Sequence, residues 1–262
     1  LALHKGVAPQ TGKRIGVETA DPRSFNKFED LYEAFKKQHE FIVRKQLWYH
    51  RLIDGVHAQY WRAPLTSSMA PGCLENGCDV VAGGQPYNLI ANVQDRALID
   101  TADSLTAIKH LVFEERRLTM TELLDALDSD FAGNRGQEIQ AMCLAAPKYG
   151  NDVDGADEMV RDVGKFSARV ITSEKSLYGG HHTLHRTGLS WHYWMGKGVG
   201  ALPQGRNAGE ALNDGSMSPM RGADKLGPTA VIKSALKADF KEAGLSVLNQ
   251  KFSASLVQSQ ES

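Results

Sequence analysis

Cysteine is scarce in this chain, with three residues among 262, at positions 73, 78 and 143. An odd count this small excludes a disulfide scaffold and fits a reducing, cytoplasmic setting. The pair in PGCLENGCD has Asp79 beside it, yet no third and fourth ligand follows at zinc-like spacing, so no metal is expected there. An excess of one charge is also lacking. Lys plus Arg total 30 against 31 for Asp plus Glu, a net charge of -1, which argues against nucleic acid as a main partner. No apolar run is long enough to span a bilayer, and LALHKGVAPQTGKRIG lacks the basic-then-apolar order of a signal peptide. An initiator Met is missing too, as a processed fragment would show. There is no internal repeat and no low-complexity tail. No nucleophile elbow supports a hydrolase built on Ser190 and His192. Asn151, Asp152 and Asp154 do not continue as an EF-hand. What remains is a globular composition, 42% hydrophobic and 23% charged, sufficient for a sizeable core in one or two domains.

The pattern of apolar residues is mainly helical. Phe28, Leu31, Phe35, Ile42, Leu47, Leu52 and Val56 recur at helical intervals between Ser24 and Tyr60, with Asp21 and Pro22 as cap and first-turn residues and Pro64 at the far end. Residues 66–92 read as irregular. A helix follows from near Asp100 through TADSLTAIKHLVFEE, then a short amphipathic one in TMTELLDALDSDF, and another from Ala156 to about Ala168. Residues 172–226 read as loop with short strands. A last helix starts near Pro228, and a strand is expected at SVLNQKFS. The fold class is therefore α/β and helix-rich. Loops this long suit inserts lining the inside of a larger barrel better than connections of a small domain.

The densest signal is MGKGVGALPQGRNAGEALNDG, from Met195 to Gly215, where glycines and turn residues separate short apolar runs. Such a composition describes backbone fitted closely around something. Together with TADPRSF, GGQPYN at 83–88, PKYGNDVDGAD at 147–157, GALPQGR at 200–206, GPTAVIKS and LNQKFS, it resembles the glycyl radical enzymes, the lyases and dehydratases related to pyruvate formate-lyase. Six segments in the family's order span almost the whole chain. Gln204 stands where that family commonly has Asp.

The resemblance implies part of a ten-stranded α/β barrel with surrounding helices and long interior loops. It implies a lyase, dehydratase or decarboxylase that abstracts hydrogen from a small organic substrate through a cysteine thiyl radical. No bound cofactor is implied. The radical resides on a glycine, installed by a separate S-adenosylmethionine and iron-sulfur activating enzyme, and the whole enzyme would be a homodimer. On this reading residues 1–262 are a partial catalytic barrel, with the catalytic cysteine loop and the glycyl radical domain both outside it. The arginine-valine-x-glycine-tyrosine motif is absent before Ser262. The chain alone would then be inactive. The alternative is a non-catalytic scaffold or partner subunit derived from the same fold.

Site residues follow from the same comparison. GCLE at 72–75 imitates the family's cysteine segment, making Cys73 and Glu75 the fallback thiol and carboxylate, a pair suited to coupled hydrogen and proton transfer. Its position directly before GGQPYN favours a packed thiol instead. YGGHHTLHRTGLSWHYWMGKG offers the candidate substrate surface: Ser190 and His192 match a family segment in part, Trp191 could wall a pocket, and Tyr178 lies close in sequence. His4 and Tyr87 are further pocket candidates. Arg206, Gly205 and Asp214 are expected to hold the glycine-rich turn in shape.

Overall fold

A computed structural model describes residues 1–87, 92–215, 217–250 and 252. The chain divides into two compact units. One comprises Leu1–Asp95, Val163–His185 and Lys241–Gly244; the other comprises Arg96–Asp162, Arg186–Phe240 and the chain from Leu245 onward.

The first unit is organised by α1 (Phe28–Tyr60), a helix of 33 residues. Glu29 and Asp30 sit in its first turn and His57 in its last, each favourable to the helix dipole. Its buried seam runs through Phe28, Leu31, Ala34, Gln38, Val43, Leu47 and Asp54. The periodicity therefore holds for Phe28, Leu31 and Leu47 but not for Leu52 and Val56, which are 47% and 54% exposed. Beyond Leu47 the seam turns toward the carboxylate of Asp54. A short helix, α2 (Pro64–Met69), begins on Pro64, which cannot continue α1 but suits a first helical position. Strand β1 (Asn92–Gln94) lies within this unit. Its core is Val43 and Leu47 of α1, Val93, Leu184, and Ala168, Val170 and Ile171 from the later part of a helix described below.

The second unit begins with α3 (Leu98–Ile108), which continues into a π-helical turn over Lys109–Glu114. α4 (Met120–Asp128) opens with a reciprocal capping box. Glu122 N–H donates to Thr119 Oγ1 at 3.1 Å, and Thr119 N–H donates to Glu122 Oε2 at 2.9 Å. These bonds and Arg135 hold the Glu122 carboxyl down at about 2. α5 (Gly133–Ala145) was not evident in the periodicity. It carries two glycines, its apolar residues crowd into its second half, and at Gly136 a Cβ would stand 2.5 Å from the Phe131 carbonyl, so packing rather than propensity selects the residue.

α6 (Asp154–Ser173) is longer at both ends than its sequence signal; its residues up to Asp162 belong to the second unit and the remainder to the first. β2 (Thr183–Arg186) pairs in parallel with β1, with Asn92, Val93 and Gln94 opposite Thr183, Leu184 and His185. Parallel pairing across nearly ninety intervening residues agrees with the α/β class. α7 (Trp191–Gly196) and α8 (Pro228–Ala238) follow, and β3 is confined to Leu245–Ser246. The strand expected at SVLNQKFS is therefore shorter and earlier, and Lys251 and Ser253 lie outside the described residues. Among the described residues no helix is long and apolar enough to cross a membrane.

The contrast along α1 is testable. Leu47 is 1% exposed in the core while Leu52 is half exposed. Leu47→Ala should cost about 3 kcal/mol in urea unfolding, and Leu52→Ala less than about 1 kcal/mol.

Candidate functional site

The glycine-rich segment folds around one guanidinium. Arg206 is 2% exposed. Its Nη2 donates to Gly196 O at 2.8 Å and to Glu210 O, Nη1 donates to Gly200 O at 2.8 Å and Val199 O at 3.4 Å, and Nε donates to Glu210 O at 3.1 Å. A weaker bond reaches Ala211 O. Carbonyl dipoles from both flanks of the loop thus solvate a buried cation. Burial pulls the Arg206 pKa below the ordinary arginine value, and the charges of Asp100 and Glu210 oppose that shift. The turn before it closes through Gly205 N–H to Leu202 O at 2.9 Å and Leu202 N–H to Arg206 O at 3.0 Å. Gly205 has φ +103°, and a Cβ there would meet Leu144 Cγ at 2.6 Å. Conformation and close approach both require glycine.

A buried polar chain continues from this turn. Gln204 is fully buried; its Nε2 donates to Asp100 Oδ1 at 3.1 Å, and its Oε1 lies 2.6 Å from Ser104 Oγ. Asn213 N–H donates to Asp100 Oδ2 at 2.9 Å. The amide at 204 can donate to one neighbour and accept from another, whereas an Asp there would set a second carboxylate against Asp100. Asp214 Oδ1 accepts from Asn249 Nδ2 at 2.6 Å, and Ser218 Oγ accepts from Asn249 N–H at 2.9 Å. This ties the end of the loop to the LNQ segment.

Ser190, Trp191 and His192 open α7, with Ser190 in the N-cap position and exposed. His192 Nδ1 is 2.9 Å from Leu189 O, which fixes its proton on Nδ1 and leaves Nε2 as an acceptor. Arg96 lies over the Trp191 ring at 5.3 Å and donates to Gly188 O at 3.3 Å. Lys197 covers Tyr193 at 4.6 Å and Trp194 at 4.5 Å. The segment is an aromatic, cation-decorated surface with one half-buried imidazole.

Cys73, Glu75, Tyr87, Tyr178 and His4 belong to the first unit. Cys73 is buried and packs on Gly84, where an added Cβ would lie 2.9 Å from its Sγ. Burial, aided by Asp79, pushes its thiol pKa up. Glu75 is exposed. The surrounding loop is held by Asp79, whose carboxylate accepts from Ala63 N–H and Val81 N–H at 3.0 Å each, and by Asn76 Nδ2 donating to Gly84 O at 3.0 Å. Tyr178 is half-buried with its ring against Gly83, His4 is half-buried, and Tyr87 is 83% exposed.

Two buried ionisable groupings were missed by sequence reasoning. In the first unit Asp54 is 7% and His182 1% exposed. Burial raises the Asp54 carboxyl, and the nearby His50, His182 and His57 act against that. The spacing of His50, Asp54 and His57 on one helix face was the available signal. In the second unit Asp103 is fully buried and accepts from Tyr149 N–H at 2.9 Å. Burial, with Asp100 and Asp157 adding like charge, pushes its pKa to about 7. Among the described residues no set of three His, Cys, Asp or Glu could hold a metal.

The family model described as pyruvate formate lyase-like matches residues 1–196, and the one described as glycine radical matches 213–262. The chain is 37% identical over 98% of its length to trans-4-hydroxy-L-proline dehydratase of Clostridioides difficile, covering 32% of that protein. The crystal structure of that enzyme with trans-4-hydroxy-L-proline bound matches with a TM-score of 0.94, over 100% of this chain and 33% of the other. Isethionate sulfite-lyase of Oleidesulfovibrio alaskensis is 31% identical over 100% of this chain and 32% of its own length. The glycerol-bound B12-independent glycerol dehydratase of Clostridium butyricum matches with a TM-score of 0.89 and 33% identity, over 96% of this chain and 31% of the other. This chain therefore spans about a third of the length of these relatives. The architecture described above is a mixed helix-and-strand part of their barrel fold.

Arg206→Met should leave several buried carbonyls unpaired, cost about 3 kcal/mol, and raise amide exchange across 196–211; Arg206→Lys should restore only part of this, because an ammonium cannot span the same carbonyls. Asp103 carries a pH signature. Its folded pKa lies above its unfolded value, so its stabilising effect is complete below about pH 4 and is lost as pH rises through about 7. Asp103→Asn should flatten this decline when unfolding midpoints are compared between about pH 5 and about pH 8.

Proposed function

Because the chain belongs to the pyruvate formate lyase-like family of glycyl radical enzymes, we propose that it supplies part of the catalytic barrel of a radical lyase or dehydratase. The observation that carries this is the whole-chain match to a substrate-bound dehydratase at a TM-score of 0.94. Hydroxyproline, isethionate and glycerol, the compounds named for the relatives, are small and hydroxylated, and a substrate of that kind is the reading favoured here. The thiyl cysteine and the radical-bearing glycine loop are assigned outside these 262 residues. The packing of Cys73 on Gly84 and the exposure of Glu75 support placing the thiyl cysteine elsewhere.

Within this reading the chain's own residues bind, orient and exclude water. His192 Nε2 accepts or returns a proton at a substrate oxygen, and Ser190 and Trp191 border the same surface. Tyr178, His4 and Tyr87 are assigned as further substrate-facing side chains of the first unit. Arg206, Gly205 and Asp214 keep the glycine-rich loop closed, and a dry, fixed loop protects a reactive intermediate. A separate activating enzyme would install the radical, in a reducing cytoplasm where Cys73, Cys78 and Cys143 remain free thiols, and the whole enzyme would act as a homodimer.

The test uses the intact natural polypeptide, isolated without oxygen and treated with a radical-generating activase. A paramagnetic signal together with consumption of trans-4-hydroxy-L-proline, isethionate or glycerol is expected, and His192→Gln should lower kcat by about a hundredfold with the radical signal unchanged. Absence of both signal and turnover in the intact polypeptide would defeat this reading and leave a scaffold subunit in its place.

A further inference from the structure

A cleft of about 470 Å³ lies wholly within the second unit, between the end of α5 with the following turn and the loop that precedes α8. Its volume is that of a small-molecule site. Lys148, Arg221 and Lys225 line it, and among the described residues no carboxylate does. Leu144, Pro147, Val153 and Met220 form much of the remaining wall. None of the residues assigned above to substrate binding borders it.

The cleft is built rather than a gap between loose segments. Asn151 joins its two walls: its Oδ1 accepts from Lys225 N–H at 2.8 Å and Leu226 N–H at 3.3 Å, while its Nδ2 donates to Ala223 O at 2.7 Å. Lys148 is 6% exposed, and its ammonium donates to Cys143 O at 2.6 Å and Ala146 O at 3.1 Å. Two of its three N–H groups are thereby used. Arg221 and Lys225 are exposed at the mouth, and among the described residues neither forms an ion pair with a carboxylate. Burial pulls the Lys148 pKa down, Asp103 opposes that shift, and Lys225 adds a smaller like-charge repulsion. An anion entering the cleft would relieve the repulsion between the two lysines.

We propose that this cleft binds a small organic anion, with its carboxylate or sulfonate between Lys148, Arg221 and Lys225 and its apolar body against Leu144, Val153 and Met220. A bare inorganic anion would leave the apolar wall wet, and a neutral apolar compound would leave Arg221 and Lys225 unmatched. Both halves of the ligand are therefore specified. The proposal concerns a site separate from the radical chemistry and does not depend on it.

Octanoate is the probe, titrated into the intact natural polypeptide and followed by backbone amide shifts, with octan-1-ol and inorganic phosphate as controls. Octanoate should bind in the range of about 1 mM, ordinary for a ligand of this size, and should shift the amides of Ala146, Asn151, Lys225 and Leu226. The double substitution Arg221→Gln with Lys225→Gln, both at exposed positions, should weaken binding about tenfold and lower its salt dependence. Ala145→Trp, placed at the exposed rim, should abolish it. Equal binding of octan-1-ol, equal binding of phosphate, shifts confined to other residues, or affinity unchanged in both variants would each overturn the proposal.

Discussion

The second unit depends on keeping one positive charge out of water. Arg206 is buried, and the groups that replace its hydration are backbone carbonyls at 196, 199, 200, 210 and 211. A guanidinium presents five N–H donors in a fixed plane, so it can draw carbonyls from two flanks of a loop toward one point. A loop with many glycines has high conformational freedom to lose on folding. The charge-assisted bonds to Arg206 offset that loss without any regular secondary structure. Glycine and arginine therefore act as a pair here: the first permits the close backbone path and the second fixes it.

The polar chain beyond Arg206 extends the same constraint to α3 and to the LNQ segment. Asp100 accepts from Gln204 and Asn213, Asn213 Nδ2 donates to Gly215 O, and Asp214 is tied to Asn249. At the other end of the unit Lys237 of α8 pairs with Asp152 at its carboxylate and with Asp154 at 2.6 Å, and it stands 3.6 Å from the buried Asp157. Hydrogen bonds to Asp152 and Asp154 hold the ammonium well above the usual lysine range. Turns rich in acidic residues commonly suggest cation binding. In this turn a lysine of the same chain occupies that role.

Much of the architecture was legible because it rests on periodic patterns. The α1 seam through Phe28, Leu31 and Leu47, the short amphipathic α4 and the start of α8 at Pro228 each follow from local residue chemistry. α5 escaped because Gly133 and Gly136 depress helix propensity, and its burial is confined to Gly136, Ile139 and Cys143. α2 and α7 are too short to display a period. In the candidate site, the turn that Gly205 makes was visible as composition. The partners of Arg206 and Gln204 were not, because bonds from side chains to loop backbone have no repeat. Asp54 and His182 illustrate the same limit: 128 positions separate them in sequence, and only the folded first unit gathers them into one buried grouping.

The bonds around Arg206 differ from the rest of the network in the chain length they span. Every carbonyl Arg206 uses lies within ten residues of it, whereas the bond between Gln204 and Asp100 spans 104 positions. Closing a loop of about ten residues takes on the order of 10–100 ns, and the entropic cost of longer closures comes later in folding. The bonds that shape the glycine-rich loop are thus local in sequence, whereas those that seat it on α3 are not.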